Sequence, residues 1–326
     1  MQFFTKVDIK PLSHKLSHSD KILSMGSCFA ENIARKLSHA KFHITSAPTG
    51  ILFNPESIAS ALEGYAQNQR EILPTELFYN GGLWSHYDFH SSFSDLDRDS
   101  AINNMQKAFD KGAHALKEAN TIIITFGTAW VYRLMESGKV VANCHKQPQR
   151  LFSRELLSAG EIAKRYIELL NGELKDKQVL FTISPVRHLG DGLEQNSLSK
   201  AILRVAVEEI CKACERAEYF PSFEIVNDEL RDYRFYAEDM THPSSLAVDY
   251  IWERFLEVAF EDKEQELIAQ IERIRRAAEH RPFNPRSDSH RKFCAKMLGE
   301  IDNLYRKYPD IDFSKEIEEF KGWDIS

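Results

Sequence analysis

The amino-acid sequence predicts an α/β fold: a parallel sheet covered by helices on both faces, followed by a C-terminal helical extension. Three observations carry this reading. Short, wholly apolar runs recur along the first 260 residues, and amphipathic segments separate them. Strands that are apolar throughout suit burial on both faces, which is the condition of a parallel sheet. Small polar or glycine residues follow the runs directly, where open α/β sheets place their reactive groups.

In chain order, "KILSM" (21–25), "TIIITF" (121–126), "QVLFTI" (178–183) and "FEIV" (223–226) read as buried strands, with "KILSM" central. Between them Phe29, Ile33 and Leu37 repeat at helical spacing, as do Ile58, Leu62 and Tyr65. Met105, Phe109 and Leu116 form the next stripe, and Ile162, Tyr166 and Leu169 another. Ser27, Gly127 and Ser184 fall just past strand ends. After residue 262 the chain becomes highly charged. Leu267, Ile268, Ile271 and Ile274 form a stripe, "RPFNPRSD" breaks the pattern, and "HRKFCAKMLGEIDNLYRKY" resumes it. This predicts an α/β body over 1–262 and a helical hairpin over 263–326, whose faces offer a dimer surface.

Composition narrows the function classes. The 326 residues are 43% hydrophobic and 28% charged, an ordinary globular balance. A net charge of -7 argues against nucleic acid as the main partner. No run approaches the roughly 18 apolar residues of a membrane span. The first twenty residues lack the apolar core of a secretory signal. Five scattered cysteines do not form a disulfide framework, so a reducing cytoplasm is the expected compartment.

Two motifs carry chemistry. In "ILSMGSCFAENIARKL" a strand turns into a helix at Gly26-Ser27-Cys28. Such a corner presents the Ser27 hydroxyl at the sheet edge, beside the free N–H groups that open a helix. Ser27 can therefore be a nucleophile whose own N–H stabilises an oxyanion. It can equally be a simple N-cap, and on this stretch alone the cap is the simpler reading. Ala30 stands where a capping box needs Glu or Gln. The second motif is Asp239-x-x-His242-Pro243 in "AEDMTHPSS". Proline disfavours helix at the residue before it, so His242 belongs on a turn. Asp239 can fix its tautomer and leave the other ring nitrogen free to accept a proton.

Gly26-Ser27-Cys28-Phe29-Ala30 spells the signature of the GSCFA family, which resembles a branch of the SGNH (GDSL-type) hydrolases. The resemblance runs over roughly residues 20–260. It implies a three-layer α/β/α sandwich, a Ser27–His242–Asp239 triad, and hydrolysis or transfer of a small, acetyl-like acyl ester on a small molecule or carbohydrate. It implies no cofactor or metal. SGNH enzymes complete the oxyanion hole with a Gly and an Asn. Gly50 matches the first. For the second, "TFGTAWVY" places Ala129 and Trp130 where a Gly-x-Asn-Asp pattern is expected. Asn143, with His145 and Lys146 nearby, is the leading substitute, and Asn54 the other.

Other groups compete. His86, Asp88 and His90 alternate in "LWSHYDFHSSF" and would share one face of a strand, a layout suited to a divalent metal. The plainer reading is an aromatic-rich insertion, in which Trp84 and Tyr87 line a sugar or acyl groove. Arg187, beside His188, can hold a carboxylate or phosphate in a bidentate pair, or join a structural ion pair. Cys211 and Cys214 lie in a helical context and read as a buried face. A Cys28 nucleophile is a further alternative, because a helix N-terminus lowers a thiol pKa. A metal-dependent hydrolase using His86, Asp88 and His90 is the second function class, and a binding module that keeps the fold without efficient chemistry is the third.

Overall fold

The computed structural model describes residues 4–68, 70–285 and 287–322. Its centre is a five-stranded, all-parallel sheet. The strands are β1 (Lys21–Gly26), β2 (His43–Ser46), β5 (Thr121–Phe126), β9 (Gln178–Ile183) and β10 (Ala217–Phe220), in the spatial order β10-β9-β5-β1-β2. Every residue of β5 is buried, and so is β1 from Ile22 onward. Alternate side chains feed two cores. Leu23, Met25, Ile124 and Phe181 face helices α2 (Pro55–Gln67), α3 (Arg98–Glu118), α4 (Ala159–Asn171) and α5 (Gly192–Ala213). Ile22, Ile123 and Leu180 face α1 (Cys28–His39) and α7 (Ser245–Ala259), where Phe29, Leu37, Ile251 and Phe255 close the other layer. The expected covering of both faces is thus present.

One expectation is sharpened and one needs correcting. β1 is interior, between β2 and β5, but the middle strand is β5. "FEIV" is helical: a single turn α6 (Ser222–Glu224) runs into wider helical turns over Ile225–Leu230, and the fifth strand is "AEYF" just before it. Pro221 has no N–H to continue a ladder. Ser222 then donates its hydroxyl to the Ile183 carbonyl, and this bond folds the chain back across the end of β9.

Two insertions stand outside the sheet. A hairpin of β3 (Phe78–Asn80) and β4 (Leu83–Ser85) precedes α3. A small antiparallel sheet follows β5: β6 (Trp130–Leu134) lies between β7 (Val140–Val141) and β8 (Phe152–Leu156). The C-terminal region has three helices instead of a hairpin's two: α8 (Asp262–Glu279), α9 (Asp288–Lys307) and α10 (Ser314–Gly322). They close their own core around Ile271, Ile274, Ile301 and Phe320, while Ile268 of α8 packs into the body. Lys41 of the body pairs with the buried Glu316 at 2.8 Å. Among the described residues no helix is long and apolar enough to cross a membrane.

Candidate active site

Gly26 makes the corner after β1. Its φ is +136°, and a Cβ there would lie 2.2 Å from the Thr125 carbonyl oxygen, so only glycine fits. The chain then enters α1 with Ser27 at the N-cap, extended at φ -70° and ψ 171°. The cap function is not used: the Ser27 side chain makes no capping bond, and among the described residues its hydroxyl, like those of Ser46, Ser57 and Thr121, is buried without a hydrogen-bond partner. The missing capping bond sets this serine apart from an ordinary cap.

The second motif sits on a turn, as its proline requires. One Asp239 oxygen accepts the N–H groups of Thr241 and His242, each at 2.9 Å. The other lies 2.6 Å from His242 Nδ1. The His242 backbone N–H, then its ring, then the Thr241 N–H hold the Asp239 carboxyl down at about 2. Asp239 is therefore ionised at any ordinary pH and keeps the proton of His242 on Nδ1, leaving Nε2 as the acceptor. Among the described residues nothing bonds Nε2. Ser244 caps α7 through the Ala247 N–H and anchors the turn.

Contacts at the carboxyl end of the sheet link the two motifs. Gly127 packs so closely on Ser27 that a Cβ there would lie 3.3 Å from the serine Cβ. The Gly127 and Thr128 N–H groups both donate to the Phe53 carbonyl. The Phe53 ring meets His188 edge-on, with ring centres 5.9 Å apart. Arg187, next to His188, donates its backbone N–H to the Thr241 carbonyl at 3.2 Å. His188 is held down to about 4, first by burial and then by the charge of Lys200, with His242 acting in the same sense. It is neutral at working pH.

Beneath this edge lies Lys200 of α5, 1% exposed. Its ammonium donates to the Gly127 carbonyl at 2.6 Å and the Ser184 carbonyl at 2.7 Å, tying together the ends of β5 and β9. Burial pushes it down to about 7. Sequence reading missed it. The available signal was its place on the buried stripe with Leu203, Val207 and Ile210, where a lysine is out of character.

A cleft of about 660 Å³ opens beside Phe53 and His188. Trp130, Tyr132 and Phe152 of the small sheet wall one side, and Asn54, Asn143 and Arg187 also line it. Neither this cleft nor the hollows of about 930 and 750 Å³ elsewhere is lined by Ser27, Asp239 or His242; the cleft adjoins them through Phe53, Arg187 and His188.

The expected oxyanion donors are spent in this structure. Ser27 donates its N–H to the Thr125 carbonyl, and Gly50 donates to Ala47. Asn143 donates its amide to Ser91 and accepts from the His145 N–H. Asn54 differs. It is 5% exposed, its oxygen accepts the Ser57 N–H as the cap of α2, and no bond within the described residues engages its amide nitrogen. Of the suggested substrate residues Arg187 lines the cleft, whereas Trp84 and His145 do not. Trp84 packs by Tyr79 and under Arg98, and His145 bonds the His86 carbonyl.

The alternating metal layout is corrected. β4 ends at Ser85, so residues 86–90 form a turn and not a strand. His86 Nδ1 accepts the Asp88 N–H, and Asp88 pairs with Arg70 and Lys139. His90 caps the turn at Ser92. The three side chains bond separate partners, and among the described residues no cluster of His, Cys, Asp and Glu is grouped to hold a metal ion. Cys28 is corrected too: burial pushes its thiol up, against the lowering expected at a helix start. Cys211, at the end of α5, is likewise pushed up by burial, to about 12.

The fold defines a doubly wound α/β protein with a serine corner after its first strand and an Asp-x-x-His turn before its last sheet-covering helix, α7. Residues 21–255 match the GSCFA family, and residues 271–322 match the GSCFA domain protein, C-terminal domain. The chain belongs to the GSCFA family. No curated protein and no solved structure matches it.

Proposed function

We propose that this protein is a serine-dependent ester hydrolase or O-acyltransferase of the SGNH type, acting on a small acyl ester. The reading is supported by two features that the Gly127–Phe53–His188 contacts join indirectly at the carboxyl end of the sheet. Among the described residues, His242 has Asp239 on Nδ1 and no partner on Nε2, and Ser27 has a buried hydroxyl with no hydrogen-bond partner. In the reaction Ser27 Oγ attacks the acyl carbonyl while His242 Nε2 takes the hydroxyl proton. His242 then passes that proton to the departing alkoxide, leaving an acyl-serine. Water or a second alcohol, deprotonated by the same nitrogen, releases the acyl group.

Ser27 and His242 are not hydrogen-bonded at rest, so substrate binding must draw the half-exposed imidazole onto the hydroxyl. The oxyanion is met by the Cys28 N–H, which opens α1 without an intrahelical acceptor, and by the Asn54 amide.

A fluorophosphonate probe tests the reading. It should label the wild-type protein on Ser27 and leave Ser27→Ala and His242→Ala unlabelled. p-Nitrophenyl acetate should give a burst of one equivalent before steady turnover. A protein that takes no label and shows no burst is a binding module, a reading favoured by the unbonded Ser27–His242 pair and by Ala129 in the usual asparagine position.

A further inference from the structure

We propose that the ester taken by this site is anionic, and that Arg187 holds its carboxylate or phosphate in the cleft beside His188. The inference rests on the esterase reading for the reaction but on separate observations for the binding. Arg187 is held in a fixed pose. Its guanidinium lies 4.0 Å from the Tyr236 ring and 5.1 Å from that of Tyr233, and its backbone N–H is bonded to Thr241, between Asp239 and His242. One side of the guanidinium reaches the Tyr236 hydroxyl, and the rest of its planar N–H fork can meet a planar oxyanion.

No carboxylate among the described residues pairs with Arg187. The other arginine of the cleft, Arg154, is neutralised by Asp191 and stacks 4.0 Å from Trp130. Burial keeps His188 neutral. Those cleft charges leave one net positive charge, on a chain whose overall charge is -7. A fixed cation in a half-buried cleft, within an acidic protein, selects for anions and repels cations. Carboxylate on the acyl group and phosphate on the alcohol present the same fork to Arg187.

Two measurements on the full chain test this. In the first, kcat/KM is compared for p-nitrophenyl acetate and the hemisuccinate ester of p-nitrophenol. The hemisuccinate should be preferred. The preference should fall about tenfold or more in Arg187→Gln, be partly kept in Arg187→Lys, and shrink in the wild type as salt rises from 50 to 500 mM. A wild-type preference for the neutral ester, or one indifferent to both salt and Arg187, overturns the proposal.

The second measurement needs no turnover. Calorimetric titration of the Ser27→Ala protein with succinate, and separately with glycerol phosphate, should show saturable binding to at least one, and Arg187→Gln should abolish it. The bound anion identifies the source. Binding of neither, or binding unchanged by Arg187→Gln, overturns the proposal. If the esterase reading fails, this titration still decides.

Discussion

At the residue scale, Ser27, Asp239 and His242 should behave as one unit. Ser27→Ala and His242→Ala should each abolish acyl-enzyme formation, and the double variant should be no worse than either. Asp239→Asn should cost less. Asn54 allows a sharper separation. An aspartate keeps the oxygen that caps α2 but has no amide donor, so Asn54→Asp should hold the melting temperature while turnover falls about 10²–10³-fold. Turnover unchanged in a folded Asn54→Asp would take this residue out of the oxyanion hole.

Lys200 makes a pH prediction. Its ammonium is held near 7 in the fold, against 10.5 ordinarily. Between those values the unfolded chain binds more protons, so unfolding free energy gains a positive slope with pH there and none below it. Measured by denaturant at pH 6.5 and 9.5, the stability of wild type relative to Lys200→Met should rise with pH. A fall would place the ammonium's affinity for its two carbonyls above its burial cost.

At the element scale the β1–α1 corner is the rigid part. Gly26→Ala drives a methyl group onto the Thr125 carbonyl, and shifting the backbone to relieve it should cost about 1–3 kcal/mol or more. Thermal unfolding should show the loss, and probe labelling of Ser27 should fall even where the variant folds. This corner, and β1, β5 and β9 with their helices, were legible because doubly buried strands are apolar throughout and glycine marks the turn. β2 was not: "HITS" is a short edge strand, half-buried and polar. β10 was hidden because "FEIV" beside it is more apolar, and the Ser222–Ile183 bond that bends that segment is tertiary. For the site, Ser27 and Asp239-x-x-His242 were legible as local patterns. The bonding state of Gly50, Asn143 and Asn54 was not, because each depends on a partner that only the fold supplies. The alternation of His86, Asp88 and His90 misled because alternation defines a face only on a strand.

At the scale of the whole molecule, the C-terminal helices form a separate core docked through Ile268 and the Lys41–Glu316 pair. Phe320→Ala, which empties a buried site in that core, should cost about 3–5 kcal/mol within it. Hydrogen exchange should quicken in α8, α9 and α10 while β5 stays protected. Equal acceleration in β5 would mean that the two cores unfold as one. The N-terminal match over 21–255 and the C-terminal match over 271–322 divide the chain along this line.

The sheet's two outer strands, β2 and β10, are each four residues long, and Pro221 closes β10 at once. A ladder so short, stopped by a residue without an N–H, offers a visiting strand little to zip onto. The C-terminal helices reinforce this on the β2 side, where Lys41, two residues ahead of the strand, is pinned to Glu316 and lies over the Phe313 ring. Short edges of this kind work against edge-to-edge pairing of a sticky parallel ribbon in a crowded solution.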